Sequence, residues 1–291
     1  MAQTSKLITT YAEYERKIAD YETKLKRLLK EPEEPIYPRL IILSGDKGVG
    51  KSYHAKKILR NQNIRPFYEY NGGASAVGLY EALWKHNNYI VLMDDVDKLI
   101  TDKYEGAALL KAATDSYDVR TLYWLKNNPK CIKIPDNITD NDTIAEYIAT
   151  VANQNPKLKV AYTRGDLFPN KFYFTGSIIF LTNKPLSKID SASDGALTNR
   201  GWHSEMLFSL EGALDLIRHS VDRVPAVSEE YVQKAIDFLL SDMAVNYCRG
   251  TGKVPTLRNL EKIAHEYEDG NNVDLHTLET NLEWPSYTLG A

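Results

Sequence analysis

The sequence predicts an α/β fold in which a parallel β-sheet is sandwiched between layers of helices. Two observations support this fold class: short apolar runs alternate with helical segments, and the run at residues 40–43 is continuously apolar. A strand that is covered on both faces needs no alternating polar residues, so such a run is typical of a parallel sheet buried by helices. The chain has 291 residues, enough for one large domain or two modest ones.

The other elements follow in chain order as alternating strands and helices. Further strands are predicted at residues 66–70, 89–93 and 177–181, and helices at residues 52–60, 78–86 and around 107–113. Because each helix can carry the chain back to the starting end of the sheet, the strands are expected to run parallel.

Three regions are predicted along the chain. Residues 1–38 form an amphipathic helix and a proline-rich linker, residues 39–222 form the αβα domain with an insertion near 124–171, and residues 223–291 form a small helical lid and tail. The insertion is polar, and we expect it to be irregular apart from one short helix near 143–152. Within the lid we expect helices at 229–248 and 257–268, the first of them capped by Ser228.

The N-terminal helix carries an apolar stripe. Its members recur at spacings of three and four residues and are Tyr11, Tyr14, Ile18, Tyr21, Leu25 and Leu28. Two uses are open: the stripe packs on its own domain or a neighbouring subunit, the commoner use of such a helix, or it docks a protein partner. Prolines at positions 32, 35 and 38 end the helix and predict a hinge.

Composition and charge exclude several classes of protein. The 36 basic and 39 acidic residues give a net charge of −3, which excludes nucleic-acid binding through bulk positive charge but leaves a local basic strip open. Two cysteines exclude a disulfide framework, and the six histidines lack the spacing of a metal site. No apolar run approaches the roughly 18 residues of a membrane span, and the N-terminus lacks the apolar stretch of a signal peptide. We therefore expect a cytoplasmic protein with no membrane association.

One motif predicts a phosphate-binding site. The pattern GxxxxGK(S/T) of a P-loop is matched in full by Gly45, Asp46, Lys47, Gly48, Val49, Gly50, Lys51 and Ser52. It follows a predicted strand and opens a predicted helix, which is the context the motif requires. Glycines let backbone N–H groups turn toward phosphate oxygens, and the helix N-terminus adds positive potential. We expect Lys51 to reach the β- and γ-phosphates of ATP and the Ser52 hydroxyl to bind Mg²⁺.

Polar residues at the ends of two later strands predict the rest of a catalytic centre. Asp94 and Asp95 directly follow the apolar run 89–93, and Asn183 follows the run 177–182. We expect Asp94 to hold Mg²⁺ through water, Asp95 to orient or deprotonate the attacking water, and Asn183 to position that water beside the γ-phosphate.

These residues resemble the motifs of AAA+ ATPases, and in particular of compact members from phages and mobile elements. The resemblance covers about residues 39 to 270. Residues 90–97 resemble the Walker B motif, residues 182–185 the sensor-1 segment, residues 189–200 the segment leading to an arginine finger, and residues 255–260 the sensor-2 helix of the lid.

The resemblance implies an assembly as well as a fold. AAA+ ATPases form homo-oligomeric rings, commonly hexamers, that bind Mg²⁺-ATP between subunits. Arg200 would then be the finger that reaches a neighbour's site, and Arg258 would report the nucleotide state from the lid of its own subunit. Lys184, Arg218 and Arg223 are reserve candidates for these two roles.

Three features depart from the family pattern. Asp95 stands where most members have a longer Glu, which predicts slow hydrolysis. The segment 70–89 is short and lacks the aromatic pore loop of protein-threading members, and the look-alike at residues 103–106 lies where a second pore loop would be. One arginine, rather than two, follows Asn183 closely.

The substrate of such an ATPase stays open. A nucleic-acid motor or loader in replication, recombination or packaging is favoured. Its contacts to DNA could come from basic and aromatic residues of the insertion, namely Lys126, Lys130, Lys133, Lys157, Lys159, Arg164, Tyr123, Trp124 and Tyr162. Such residues more commonly belong to a solvated insertion that binds nothing. A chaperone-like remodeller that binds an adaptor through the N-terminal helix and an ATP-gated scaffold with slow turnover are the alternatives. A small-molecule kinase is less well supported. A phage-encoded protein would work in the host cytoplasm.

Overall fold

The computed structural model describes residues 7–29, 39–71, 75–101, 105–117, 119–193 and 195–281. The predicted hinge at Pro32, Pro35 and Pro38 lies outside the described residues, as do Lys103 and Tyr104. The helices are α1 Tyr11–Leu29, α2 Lys51–Arg60, α3 Ala76–Lys85, α4 Lys98–Thr101, α5 Gly106–Ala113, α6 Asn141–Gln154, α7 Pro156–Thr163, α8 Leu186–Ser193, α9 Leu210–Arg218, α10 Glu229–Leu239, α11 Asp242–Thr251, α12 Leu257–Glu268 and α13 Leu275–Asn281, with a 3₁₀ helix at Val221–Arg223. The strands are β1 Leu40–Gly45, β2 Phe67–Asn71, β3 Ile90–Asp94, β4 Arg120–Tyr123, β5 Cys131–Ile132, β6 Phe168–Pro169, β7 Lys171–Phe174, β8 Ser177–Thr182 and β9 Trp202–Met206.

The central sheet has five parallel strands in the order β2-β3-β8-β1-β9. This confirms the predicted α/β class with a parallel sheet flanked by helices. β8 lies between β1 and β3, with Ser44 opposite Thr182 and Met93 opposite Phe180. The carboxyl ends of β1, β8 and β3 therefore meet side by side at one edge of the sheet, where ligands of open parallel sheets commonly bind.

The apolar runs are continuous because both faces of the sheet are covered. Along β1, Leu40 and Ile42 belong to one buried cluster, whereas Ile41 and Leu43 belong to the cluster on the opposite face. Strands β3 and β8 divide their side chains between the two clusters in the same way. Two layers of apolar contacts thus hold the strands that carry the site, and they fix the strand ends in place.

The apolar stripe of α1 packs within this chain. Tyr14, Ile18, Tyr21, Leu25 and Leu28 are all buried, in the cluster that also contains residues of α2, β1 and α9. This is the first of the two uses predicted for the helix. A protein partner that binds α1 would have to use another of its faces.

The predicted insertion is more regular than expected. Residues 124–171 contain α6, which covers the predicted helix, the additional helix α7 and the short strands β5 and β6, which pair with each other. The strands β4 and β7, at the two ends of this segment, form a second two-stranded sheet. Several side chains of the segment join the same buried cluster as one face of the central sheet, among them Ile144, Ile148, Ala152 and Phe168. The polar composition reflects the outer faces of these elements, while their inner faces are apolar.

Two further expectations need correction. The helix predicted at 229–248 is two helices, α10 and α11, because Leu240 ends the first and Ser241 caps the second by accepting a hydrogen bond from the backbone N–H of Ala244 at 3.3 Å. The segment 202–206, for which no strand was predicted, forms the edge strand β9. Helix α12 has the predicted bounds.

The helices α10 to α13 bury their own apolar cluster, which includes Val232, Ile236, Leu260 and Ile263. Among the residues that the structure describes, no helix is both long enough and apolar enough to cross a membrane.

Candidate functional site

The loop between β1 and α2 has the conformation that its glycines permit. Gly45, Gly48 and Gly50 have φ angles of 138°, 71° and 90°, a region that other residues rarely adopt. At Gly45 a Cβ atom would lie 2.2 Å from the carbonyl oxygen of Met206 in β9, so no side chain fits there. The loop curls around the amino end of α2, where the first backbone N–H groups of a helix have no partner within that helix.

Lys51, the first residue of α2, folds back over this loop. Its Nζ atom donates hydrogen bonds to the carbonyl oxygens of Gly45 at 2.9 Å and Asp46 at 2.6 Å, and to Oδ1 of Asn183 at 3.0 Å. Only 6% of the residue is exposed. Burial lowers the pKa of the ammonium group to about 8, although Asp46 and Asp94 oppose the shift. The structure thus places one desolvated cation where the loop meets the end of β8.

The strand ends supply the oxygen and amide groups of the site. Asp94 ends β3, and Asp95 follows it with a φ of 56°. The Nδ2 atom of Asn183 donates to Oδ1 of Asp95 at 3.2 Å. Behind them, the Thr182 hydroxyl donates to Oδ1 of Asp97 at 2.5 Å, which joins the ends of β8 and β3 a second time. Asn183 therefore contacts Lys51 on one side and Asp95 on the other.

These groups line a cleft of about 940 Å³. Of the predicted residues, those lining it are Lys47, Gly48, Gly50, Lys51, Ser52, Asp94, Asp95, Asn183 and Arg258. The cleft continues past the loop to Tyr11, His219 and Arg223. The structure brings together residues from the loop after β1, from α2, from the ends of β3 and β8, and from α12.

Four predicted residues do not line the cleft. Gly45 and Val49 contribute to the fold of the loop through their backbone, while Asp46 and Arg200 point elsewhere. The Asp46 carboxylate turns inward and accepts a hydrogen bond from the backbone N–H of Phe208 at 2.9 Å. Burial raises the pKa of this carboxyl group to about 7. Asp46 is therefore an anchor of the loop on the segment that follows β9.

Arg200 lies at a different surface of the αβα domain. Its guanidinium group donates to the carbonyl oxygen of Lys111 at 2.5 Å and lies 3.6 Å from the carboxylate of Asp115, both near the carboxyl end of α5. The two contacts hold the arginine away from the cleft.

The lid rests directly on the loop. The backbone N–H of Leu257, the first residue of α12, donates to the carbonyl oxygen of Gly48 at 3.2 Å. Thr256 and Asn259 form a capping box at the start of this helix, which fixes its first turn. The next residue in the helix, Arg258, is thereby held at the cleft.

Apart from Arg223, a reserve candidate for the arginine roles, the residues on the α1 side of the cleft were not identified by sequence motifs. Tyr11 stacks on His219 with ring centres 4.7 Å apart, and Arg223 donates to the hydroxyl groups of both Tyr11 and Tyr14 at 3.1 Å. His54, on α2, lies 3.2 Å from Glu22 of α1. The tyrosine stripe was visible in the sequence, but its spacing indicated only a buried face; nothing local placed it beside the loop.

The oxygen donors present fit a magnesium ion that arrives with phosphates. Ser52 offers a hydroxyl and Asp94 a carboxylate in the same cleft, and hard oxygen ligands of this kind suit Mg²⁺, which keeps several waters and phosphate oxygens as its other ligands. Within the described part of the chain, no group of three or more His, Cys, Asp or Glu side chains could hold a metal ion by itself.

Comparison with known proteins gives one distant relative and no family. No family model matches the chain. The chain is 29% identical over 245 residues to an uncharacterized 36.7 kDa protein of Enterobacteria phage T4 from the nrdC–mobD intergenic region. The match covers 82% of this chain and 61% of the phage protein. The chain is thus similar to a phage protein whose name states no activity.

Proposed function

We propose that this protein is a P-loop ATPase of the AAA+ kind that binds Mg²⁺-ATP and hydrolyses it. The observation that carries the proposal is the position of Lys51, whose Nζ atom contacts the glycine loop and Asn183 at the mouth of a cleft that also contains Asp94 and Asp95. A buried cation over a glycine loop at the start of a helix is suited to bind phosphate.

Each group has a task in this proposal. Lys51 exchanges its contacts with the loop carbonyls for phosphate oxygens, while backbone N–H groups of the loop bind the same phosphates. Ser52 and Asp94 hold Mg²⁺, which neutralises charge on the phosphates. Asn183 and Asp95, already joined at 3.2 Å, orient the water that attacks the γ-phosphate. The aromatic end of the cleft at Tyr11 and His219 is suited to the nucleobase.

We further propose that the protein works as a homo-oligomeric ring, as the resemblance to AAA+ ATPases implies, with a hexamer as the expected form. The position of Arg200 supports this arrangement. The side chain lies outside the cleft of its own subunit and instead contacts Lys111 and Asp115. An arginine in that position can act on ATP only across a subunit boundary. There it would stabilise the charge that develops on the γ-phosphate.

The proposed work of the ring is on nucleic acid, as a motor or loader in the cytoplasm of a phage host. Tyr123 and Tyr162 of the insertion are 56% and 43% exposed and could stack on bases. Of the six basic residues proposed for phosphate contacts, Lys126 pairs with Glu105 and Lys130 with Asp166. The alternative of a chaperone-like remodeller loses its proposed adaptor surface, since the apolar stripe of α1 is buried.

The test is the steady-state rate of ATP hydrolysis, measured alone and with single-stranded DNA, duplex DNA or an unfolded protein. We expect basal turnover that one form of DNA stimulates several-fold. No turnover and no ATP binding would refute the ATPase. Turnover that only the unfolded protein stimulates would favour the remodeller, and turnover that nothing stimulates would favour the scaffold.

A further inference from the structure

Helix α1 reaches the candidate phosphate-binding loop through one side chain. We infer that Tyr14 is a positioning residue for this loop, holding the peptide between Val49 and Gly50 in the orientation that phosphate binding needs. The inference rests on the proposed nucleotide site. Tyr14 is fully buried, and its hydroxyl donates a hydrogen bond to the carbonyl oxygen of Val49 at 3.1 Å.

The hydrogen bond from Tyr14 to the Val49 carbonyl also sets the direction of the next backbone N–H, that of Gly50. A peptide unit is planar, and in the trans form its C=O and N–H bonds point in opposite directions. Because the Val49 carbonyl points at Tyr14, the N–H of Gly50 points away from Tyr14, and Gly50 lines the cleft. Gly50 also precedes the first residue of α2, where backbone N–H groups are suited to bind anions.

The direction of the hydrogen bond is fixed by the neighbours of the hydroxyl. Arg223 donates to the Tyr14 oxygen at 3.1 Å, and a guanidinium group can only donate, so the single proton of the phenol must go to another acceptor. Two acceptors are in range, the Val49 carbonyl at 3.1 Å and Nε2 of His54 at 3.5 Å. The carbonyl is the closer of the two.

His54 does not donate a hydrogen bond to the Tyr14 hydroxyl, so it does not compete with Arg223. Its Nδ1 atom lies 3.2 Å from the carboxylate of Glu22, which can only accept, so Nδ1 carries the proton and Nε2 does not donate to Tyr14. Burial lowers the pKa of His54, which favours this neutral form. Glu22 thus holds His54 beside Tyr14, while Arg223 and Tyr14 form a chain of hydrogen bonds that ends on the Val49 carbonyl.

The peptide before a glycine rotates more easily than the peptide before any other residue, so its orientation depends on outside hydrogen bonds. Gly50 has a φ of 90°, and glycine populates positive and negative φ about equally, so the peptide before it can rotate at little cost. If only a fraction of molecules present the Gly50 N–H correctly, the apparent affinity for nucleotide falls by that fraction. Tyr14 raises that fraction before any ligand is bound.

The test compares two tyrosine variants of the full chain. Tyr14→Phe keeps the buried ring and removes the hydrogen bond to Val49. Tyr21→Phe is the matched control: it lies on the same helix, it is equally buried, and its hydroxyl has no hydrogen-bond partner among the described residues. The dissociation constant of ADP is measured by calorimetry at a temperature where circular dichroism shows every variant folded.

We expect the ADP dissociation constant of Tyr14→Phe to rise about fivefold, the factor that one hydrogen bond is worth, and that of Tyr21→Phe to stay within about twofold of the wild type. A purely structural role would lower the melting temperature of Tyr14→Phe without changing this constant. Should Tyr14→Phe not fold in buffer, all three proteins are compared in trimethylamine N-oxide, which favours the folded state.

The outcomes separate this inference from the proposed function. Equal ADP dissociation constants for Tyr14→Phe and Tyr21→Phe would overturn the role of Tyr14 and leave the ATPase standing. A folded wild-type chain that binds neither ADP nor ATP would overturn both.

Discussion

The Nζ atom of Lys51 and the Oδ1 atom of Asn183 lie 3.0 Å apart, across the gap between the loop after β1 and the end of β8. The other side of the same amide donates to Asp95 at 3.2 Å. A neutral side chain thus stands between the cation that is proposed to bind phosphate and the carboxylate that is proposed to activate water. Movement of Lys51 toward a phosphate would free the amide oxygen for that water.

Lys51→Ala is expected to abolish ATP binding, raising the dissociation constant at least tenfold, because it removes the cation from the loop. Calorimetric titration with ATP measures the effect. Lys56→Ala is the control, since Lys56 lies on the same helix but pairs with Glu69 at the surface. Wild-type affinity in folded Lys51→Ala would contradict the phosphate site.

Arg200→Ala is expected to bind ATP with an unchanged dissociation constant but to hydrolyse it roughly 10³-fold more slowly, because the proposed finger acts on the transition state of a neighbouring site. Single-turnover hydrolysis measures the rate. Arg249→Ala, a change on the exposed side of α11, serves as the control. Wild-type turnover in Arg200→Ala would remove the finger assignment.

Mixed rings test whether sites are shared between subunits. Asp95→Asn and Arg200→Ala are each expected to be inactive alone, yet a mixture should recover part of the activity. At some boundaries an intact Asp95 of one subunit then meets an intact Arg200 of another. The recovered rate is read from a titration of one variant with the other, and no recovery at any ratio argues against this geometry.

Nucleotide affinity is expected to fall as the pH rises through about 8. Burial lowers the pKa of Lys51 from its usual value to about 8, so the ammonium group is charged below that pH and largely neutral above it. Since phosphates bind the charged form, the dissociation constant should be about tenfold higher at pH 9 than at pH 7, and binding above pH 8 should take up a proton. Calorimetry in buffers of different ionisation enthalpy measures this uptake, and an affinity that is constant from pH 7 to 9 would contradict it.

Asp46→Asn is expected to stabilise the protein at pH 8 but not at pH 5. Burial raises the pKa of Asp46 to about 7, whereas the unfolded chain releases this proton near pH 4. Between pH 4 and pH 7 the Asp46 carboxyl group is protonated in the folded state and ionised in the unfolded chain. The contribution of Asp46 to the free energy of unfolding therefore falls as the pH rises through this range and is constant above pH 7. The amide oxygen of Asn can still accept from Phe208, and the gain should be on the order of 2 kcal/mol.

Urea unfolding of both proteins at pH 5 and pH 8 gives that difference, and subtracting the wild type cancels the other titrating groups. The same stability gap at both pH values would show that Asp46 ionises with an ordinary pKa.

The sequence predicted what depends on neighbouring residues. The loop from Gly45 to Ser52, the strand ends at Asp94 and Asn183, and the bounds of α12 all follow from local patterns. The structure places part of this loop, both strand ends and Arg258 of α12 around one cleft. The break at Ser241 was also readable, because a serine followed by an aspartate is a common start for a helix.

What the sequence could not predict depends on distant partners. β9 mixes polar and apolar residues because it is an edge strand, and only its pairing with β1 identifies it. Tyr14 and Arg223 are 209 positions apart, and Tyr14 and Val49 are 35 apart. The spacing of apolar residues along the sequence cannot predict contacts between residues so far apart. The order of the strands in the sheet is a long-range property of the same kind.

The insertion is bound to the rest of the chain by aromatic rings. Trp124 lies 5.6 Å and Phe168 5.8 Å from Tyr80 of α3, measured between ring centres. Excising residues 124–171 would strip one wall from the core and expose the rings of α3 to water. Residues 124–171 therefore have to fold together with the sheet. Removing them to leave a minimal nucleotide-binding unit would produce a chain that aggregates.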